Sequence, residues 1–278
     1  MAALARDPGQ TSEQPSQARM DQGLGSGQAR TPFPRAQIRW ALEQRRLRVA
    51  YQPLFSLHDQ AVVGHEALAR LLDRRGVLLN AEVFIDVAAQ IGLEPRIDAD
   101  ITAQAMAEFS ARATADAQPH KLFLNCSAGF LVQPQNIAQL ARQHRAWARG
   151  SSGSGTAQTP WVIEITERSL DVPPASLLAA LQPLLDLGFE LALDDFGGDR
   201  SAFSYLLGLP LHYLKLDKKL VQEAARSPRA ERVLRQMQGM AGDLGMLAIA
   251  EGISCPEEFD CMRSMGIAWG QGHLWGVQ

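Results

Sequence analysis

Short apolar runs alternate along the chain with longer stretches in which apolar positions recur every three or four residues. The runs predict strands over 49–54, 62–68, 122–125, 161–165, 190–194, 213–216, 246–250 and 268–269. The intervening stretches place their apolar positions on one helical face and predict helices over 35–46, 81–91, 97–111, 137–148, 174–187, 229–244 and 256–265. Eight strands alternating with helices point to an α/β fold, a modified (β/α)8 barrel of the TIM type. The modification lies at the start. Only 57–61 separate the first two strands, too few residues for a helix, so these strands read as hairpin-like. An open doubly wound sheet is the structural runner-up, but no Gly-x-Gly-x-x-Gly follows a strand to mark a dinucleotide site.

Composition changes this picture at the edges. Residues 1–33 are rich in Ala, Gln, Gly, Ser and Pro and poor in large apolar side chains. Such a segment buries too little surface to offset its ordering entropy and is expected to be a disordered tail. Residues 34–278 then form one domain. Within it, 149–160 are dominated by Gly, Ser and Thr and read as a flexible insertion.

The chain has 278 residues, 46% hydrophobic and 21% charged, which suits a single barrel-sized core. A net charge of −3 offers no basic surface for direct nucleic-acid binding. A small anionic ligand stays compatible where a bound cation supplies local positive charge. The three cysteines, Cys126, Cys255 and Cys261, have neither disulfide-framework nor zinc spacing. No apolar run approaches the roughly 18 residues that span a bilayer, and the N-terminus lacks a signal-peptide core. A cytoplasmic protein without membrane association is expected.

The candidate chemistry lies at the strand ends. Glu66, Asn125, Glu164, Asp194, Asp195, Lys215, Glu251 and Gln271 each fall at or just after the end of an apolar run. In a barrel those ends converge on the face that carries the active site. A single strand-end carboxylate is more often a helix cap or a solvated loop residue; repetition on nearly every strand carries the reading. Five carboxylates in one mouth repel one another unless neutralised, and Mg²⁺ or Mn²⁺ matches an all-oxygen donor set. Two such ions roughly 3.5–4 Å apart are the arrangement used for phosphodiester hydrolysis. Lys215, inside an apolar strand, is costly to bury without partners.

Beyond this reading, Tyr51-Gln52-Pro53-Leu54, Glu66-Ala67-Leu68 with Arg70, Leu124-Asn125-Cys126-Ser127 and Glu164-Ile165-Thr166-Glu167 stand in an order that continues downstream. There follow Leu193-Asp194-Asp195-Phe196-Gly197, Leu214-Lys215-Leu216-Asp217, Ala250-Glu251-Gly252-Ile253 and Gln271-Gly272-His273-Leu274. The set resembles the motifs of the EAL-domain family of cyclic di-GMP phosphodiesterases from about residue 35 to the C-terminus. The resemblance implies metal-dependent hydrolysis of cyclic di-GMP to linear pGpG in bacterial second-messenger signalling. It implies one metal on Glu66, Asn125, Glu164 and Asp194, and a second shared through Asp194 with Asp195 and Glu251. Lys215, Glu251 and Glu66 would serve the chemistry at the attacking water. Gln52, Leu54, Arg70, Asp217 and Gln271 would hold the ligand or its water network. A homodimer is implied as well, with a protein partner left unidentified.

The sequence departs from the family pattern in two places near this set. Residues 198–203 read Gly-Asp-Arg-Ser-Ala-Phe where the family has Thr-Gly-Tyr-Ser-Ser-Leu, and Ser254 stands where the family carries a second glutamate. Both changes bear on turnover more than on fold or ligand binding. They define the alternative: an EAL module with weak or no turnover, acting as a cyclic di-GMP receptor or protein-binding regulator. The ordered motifs set aside an unrelated barrel acting on another phosphate ester.

Overall fold

The computed structural model describes residues 33–112, 120–150, 159–166, 172–198 and 202–276. In chain order the strands are β1 (Leu47–Ser56), β2 (Val62–Leu72), β3 (Leu78–Asn80), β4 (Lys121–Cys126), β5 (Trp161–Ile165), β6 (Glu190–Phe196), β7 (Tyr213–Leu216), β8 (Leu247–Ala250) and β9 (Trp269–Gly270). The helices are α1 (Arg35–Glu43), α2 (Ala81–Gln90), α3 (Glu94–Arg112), α4 (Ala128–Leu131), α5 (Pro134–Gly150), α6 (Pro174–Leu185), α7 (Phe203–Gly208), α8 (Lys218–Ala224), α9 (Pro228–Asp243) and α10 (Pro256–Ser264).

The sheet runs β1-β9-β8-β7-β6-β5-β4-β2 and closes through pairing of β1 with β2, while β3 pairs with Arg70–Leu72 of β2, beyond the stretch that pairs with β4. This is the expected α/β barrel with a hairpin start. β1 is antiparallel to both neighbours, β2 and β9. The other barrel pairs are parallel. All eight anticipated strands are present. The reading missed β3, α4, α7 and α8, each of three to seven residues, because so few residues carry no measurable periodicity.

Because side chains alternate across a strand, residues two apart share the barrel interior. Leu54, Phe123, Val162, Ala192, Tyr213 and Ile249 form an apolar layer inside the barrel. Two residues further along β4 to β8 stand Asn125, Glu164, Asp194, Lys215 and Glu251. β1 runs the other way, so its counterpart in the upper layer is Gln52, two residues before Leu54 and paired in register with Glu66 of β2. The polar layer thus rests on an apolar floor that fixes its height in the barrel.

Of the anticipated tail, residues 1–32 lie outside the described residues, while the Phe33 ring lies 6.3 Å from that of Phe84. Of the anticipated insertion, 151–158 likewise lie outside them. Among the described residues no helix is long and apolar enough to cross a membrane.

Candidate active site

Local sequence sets how each strand end presents its side chain. Consecutive residues of a regular strand face opposite sides, so Asp194 and Asp195 could not both enter the mouth from an unbroken β6. The β6–β7 register shifts between Leu193 and Phe196, and Asp195 adopts a left-handed backbone at φ 53°. A bulge of this kind re-aims side chains, and aspartate is among the non-glycine residues that tolerate the conformation. Asp194 and Asp195 consequently share the cavity wall.

Lys215 is the hub of the polar layer. Its Nζ lies 3.2 Å from Glu66 Oε2, 3.0 Å from Asp194 Oδ1 and 2.7 Å from Glu251 Oε1, and also contacts Glu164 Oε1. Lys215 is 1% exposed and Glu164 0%, so screening by water is slight. Burial pushes the Lys215 ammonium down, yet the surrounding carboxylates, Asp194 foremost, outweigh it and hold its pKa well above the usual lysine value. Burial raises the Glu164 carboxyl well above the normal carboxylate range, with Glu66 adding to the effect and Lys215 opposing it. Burial likewise lifts Glu251 to about 8 against the pull of Lys215.

Amides complete the layer. Asn125 Nδ2 donates to Glu66 Oε1 at 2.7 Å, and Gln271 Nε2 lies within donating distance of both Glu66 Oε2 at 2.7 Å and Glu251 Oε1 at 2.8 Å. Glu66 is thereby held from β4, β7 and the segment after β9.

Above the layer opens a cavity of about 740 Å³. Gln52, Arg70, Asp217 and Gln271, all anticipated as ligand-holding, line it. Arg70 Nη1 donates to Ala69 O at 3.0 Å. Asp217 also caps α8, its Oδ1 accepting from Lys219 N at 2.9 Å and Leu220 N at 3.2 Å. Leu54 is the exception. It is fully buried in the apolar layer below the site, because the reversed direction of β1 carries its later residues away from the mouth. Glu167 and residues 199–201 lie outside the described residues.

Two groups went unnoticed in the sequence. Asp98 of α3 reaches the cavity wall and accepts from Ser127 N at 2.9 Å and Ser127 Oγ at 2.5 Å, which anchors the turn after Asn125. Burial lifts its pKa to about 7, with the two Ser127 hydrogen bonds opposing the shift. Glu258 of α10 does similar work after Glu251, accepting from the backbone and hydroxyl of Ser254. Glu258 lies in the first turn of its helix, where an acid's ordinary role is capping, and Asp98 is the fifth residue of α3; only long-range packing distinguishes them.

The donor set fits a hard cation. Glu66, Glu164 and Glu251 each bring one oxygen to within 4.8 Å of the others, and Asp194, Asp195 and Glu251 do the same. Glu251 belongs to both groups. Four carboxyl groups gather round one ammonium, and among the described residues Glu164 Oε2 is buried without a hydrogen-bond partner. Oxygen donors in this number suit a divalent cation.

A family model for the EAL domain matches residues 35–277. Cyclic di-GMP phosphodiesterase NbdA of Pseudomonas aeruginosa is 27% identical over 238 residues, which cover 86% of this chain and 30% of that protein. Cyclic di-GMP phosphodiesterase PdeB of Shewanella oneidensis is 27% identical over 250 residues, 90% of this chain and 28% of that protein. Among solved structures, EAL enzyme Bd1971 in its cAMP- and cyclic-di-GMP-bound form matches with a TM-score of 0.77 and 24% identity, over 87% of this chain and 64% of that one. The chain spans less than half the length of these curated relatives.

Proposed function

The chain belongs to the EAL domain family, and we propose that it binds cyclic di-GMP in the cavity over β4 to β9 and hydrolyses it to linear pGpG with Mg²⁺ or Mn²⁺. The observation that carries this reading is the convergence of Glu66, Glu164, Asp194 and Glu251 on Lys215 at the cavity floor. Relatives named as cyclic di-GMP phosphodiesterases support it.

Glu66, Asn125, Glu164 and Asp194 would hold one cation, and Asp194, Asp195 and Glu251 a second. When bound, the ions acidify the attacking water and neutralise charge on the phosphoryl oxygens. Water oxygen forms a bond to one phosphorus, the bond from phosphorus to the 3′ oxygen breaks, and that oxygen takes up a proton as the ring opens. The protein's share is placement. Lys215, beside Glu66, Asp194 and Glu251, would orient the attacking water or help to deprotonate it. Gln271 and Asn125 fix the Glu66 carboxylate. Arg70, a planar fork on the cavity wall, would pair with a phosphate, and Gln52 and Asp217 would contact the ligand beside it.

A second reading, capture of cyclic di-GMP without efficient turnover, is favoured by residues 198–203 and by Ser254. A cytoplasmic location and homodimer formation accompany both readings as proposals. The test pairs calorimetry of cyclic di-GMP binding with chromatography of the mixture after incubation with Mn²⁺. Binding with accumulation of pGpG supports the enzyme; tight binding with no pGpG supports the receptor.

A further inference from the structure

Glu251 follows directly on β8, and the chain from there to α10 is held by side chains outside the carboxylate cluster. Gly252 turns the backbone at φ +68°, and a Cβ there would come within 2.4 Å of Lys218 Cβ, so the close approach requires glycine. Gln222 Nε2 donates to Gly252 O at 3.1 Å, and Ile253 N donates to Gln271 O at 3.1 Å. Leu274 N donates to Ile253 O at 3.1 Å, and a further restraint comes from Glu258, third residue of α10. Its Oε2 accepts from Ser254 N at 2.7 Å and from Ser254 Oγ at 2.8 Å.

A glutamate at the third helical position that reaches back to a backbone N–H follows capping-box logic. Here it reaches past the cap residue Cys255 and takes both donors of Ser254. It is also only 1% exposed, with its other oxygen 3.5 Å from the guanidinium of an exposed Arg226. A carboxylate that merely favoured the helix start would do so on the surface at no desolvation cost. Ser254 itself lines the cavity beside Glu251.

We propose that Glu258 is the positioning residue for Glu251, acting through Ser254. It supplies, one helical turn on, the carboxylate that Ser254 lacks, and Ser254 and Glu258 work as one exchangeable pair. The inference rests on reading the cluster as a divalent-cation site for phosphodiester hydrolysis. Loosening the turn lets Glu251 drift, and coordination tolerates only a few tenths of an ångström. Placing a second carboxylate at the exposed position 254 would set a like charge against the buried Glu258 carboxylate and disrupt both of its contacts to Ser254.

The test compares wild type, Glu258→Ala, Ser254→Glu and the exchanged pair Ser254→Glu/Glu258→Gln. Mn²⁺ uptake is followed by electron paramagnetic resonance of the free ion, alongside kcat and KM for cyclic di-GMP. Glu258→Ala and Ser254→Glu should each weaken Mn²⁺ uptake about tenfold and lower kcat about 10- to 100-fold, with KM within about twofold. The exchanged pair should recover Mn²⁺ uptake and kcat to within about threefold of wild type. If a single variant fails to fold, recovery of both fold and Mn²⁺ uptake in the exchanged pair is the same rescue. Ser254→Glu behaving as wild type, or an exchanged pair no better than Ser254→Glu, overturns the proposal while leaving the cation site intact. A wild type that takes up no Mn²⁺ overturns both.

Discussion

Asn125 Nδ2 donates to Glu66 Oε1 at 2.7 Å, joining two neighbouring parallel strands across 59 residues of sequence. The contact sets the rotamer of a carboxylate that also faces Lys215 and Gln271. Replacing Asn125 by Leu keeps the volume and removes both donor and acceptor. Groups that orient a metal-binding carboxylate typically contribute about 10- to 100-fold in metal affinity or activity. Calorimetric titration of Mn²⁺ into Asn125→Leu should show a loss of that size, and unchanged affinity would remove Asn125 from the site.

Lys215→Met tests the hub. Removing one partner of a buried ion cluster leaves the rest uncompensated, at a cost of about 3–5 kcal/mol. Urea unfolding in EDTA should show a destabilisation of that order, and Mn²⁺ should restore much of it by neutralising the same oxygens. The hydrolysis rate should stay low even with Mn²⁺, with cyclic di-GMP affinity changed far less. A variant that binds poorly and turns over normally would contradict the orienting role.

Arg70→Ala should weaken cyclic di-GMP binding while sparing Mn²⁺. A hydrogen bond to a charged group contributes about 1.5–3 kcal/mol, so the dissociation constant should rise by at least about tenfold. Equal affinities for cyclic di-GMP by calorimetry would sink the phosphate assignment.

Asp98 gives the pH dependence. Its folded pKa, raised by burial to about 7, exceeds the unfolded value near 3.8. The native state therefore holds a proton that the unfolded chain has lost across that interval, and the stability linked to it falls as pH rises from about 4 to about 7. Below the interval both states are protonated, and above it neither is. Asp98→Asn keeps an acceptor for Ser127 but does not titrate. The urea midpoint of this variant should gain on wild type steadily from pH 4 to pH 7 and then run parallel. A constant difference across the range would show that Asp98 stays ionised in the folded protein.

The strand-end residues could be read from sequence because one rule, alternation along a strand, places Asn125, Glu164, Asp194, Lys215 and Glu251 two positions beyond the apolar layer. Leu54, which the motif resemblance implies as a ligand-holding residue, lies instead in the apolar layer, because β1 runs in the reverse direction. The site for Asp195 depended on a bulge, which leaves no mark on hydrophobic period. Asp98 and Glu258 were invisible for a different reason. Each meets its partner where a helix packs against a loop, and no local pattern separates Asp98, in the second turn of α3, or Glu258, in the first turn of α10, from an ordinary helical acid.

The central claim is cation-dependent attack of water on a phosphorus of cyclic di-GMP. Incubation with Mn²⁺ in oxygen-18 water, followed by mass spectrometry, follows the transferred oxygen itself. The expected product is pGpG with one oxygen-18 on its terminal phosphate, formed with Mn²⁺ and absent in excess EDTA. Cyclic di-GMP recovered intact, label on a ribose hydroxyl, or labelled pGpG formed equally well in EDTA would contradict it.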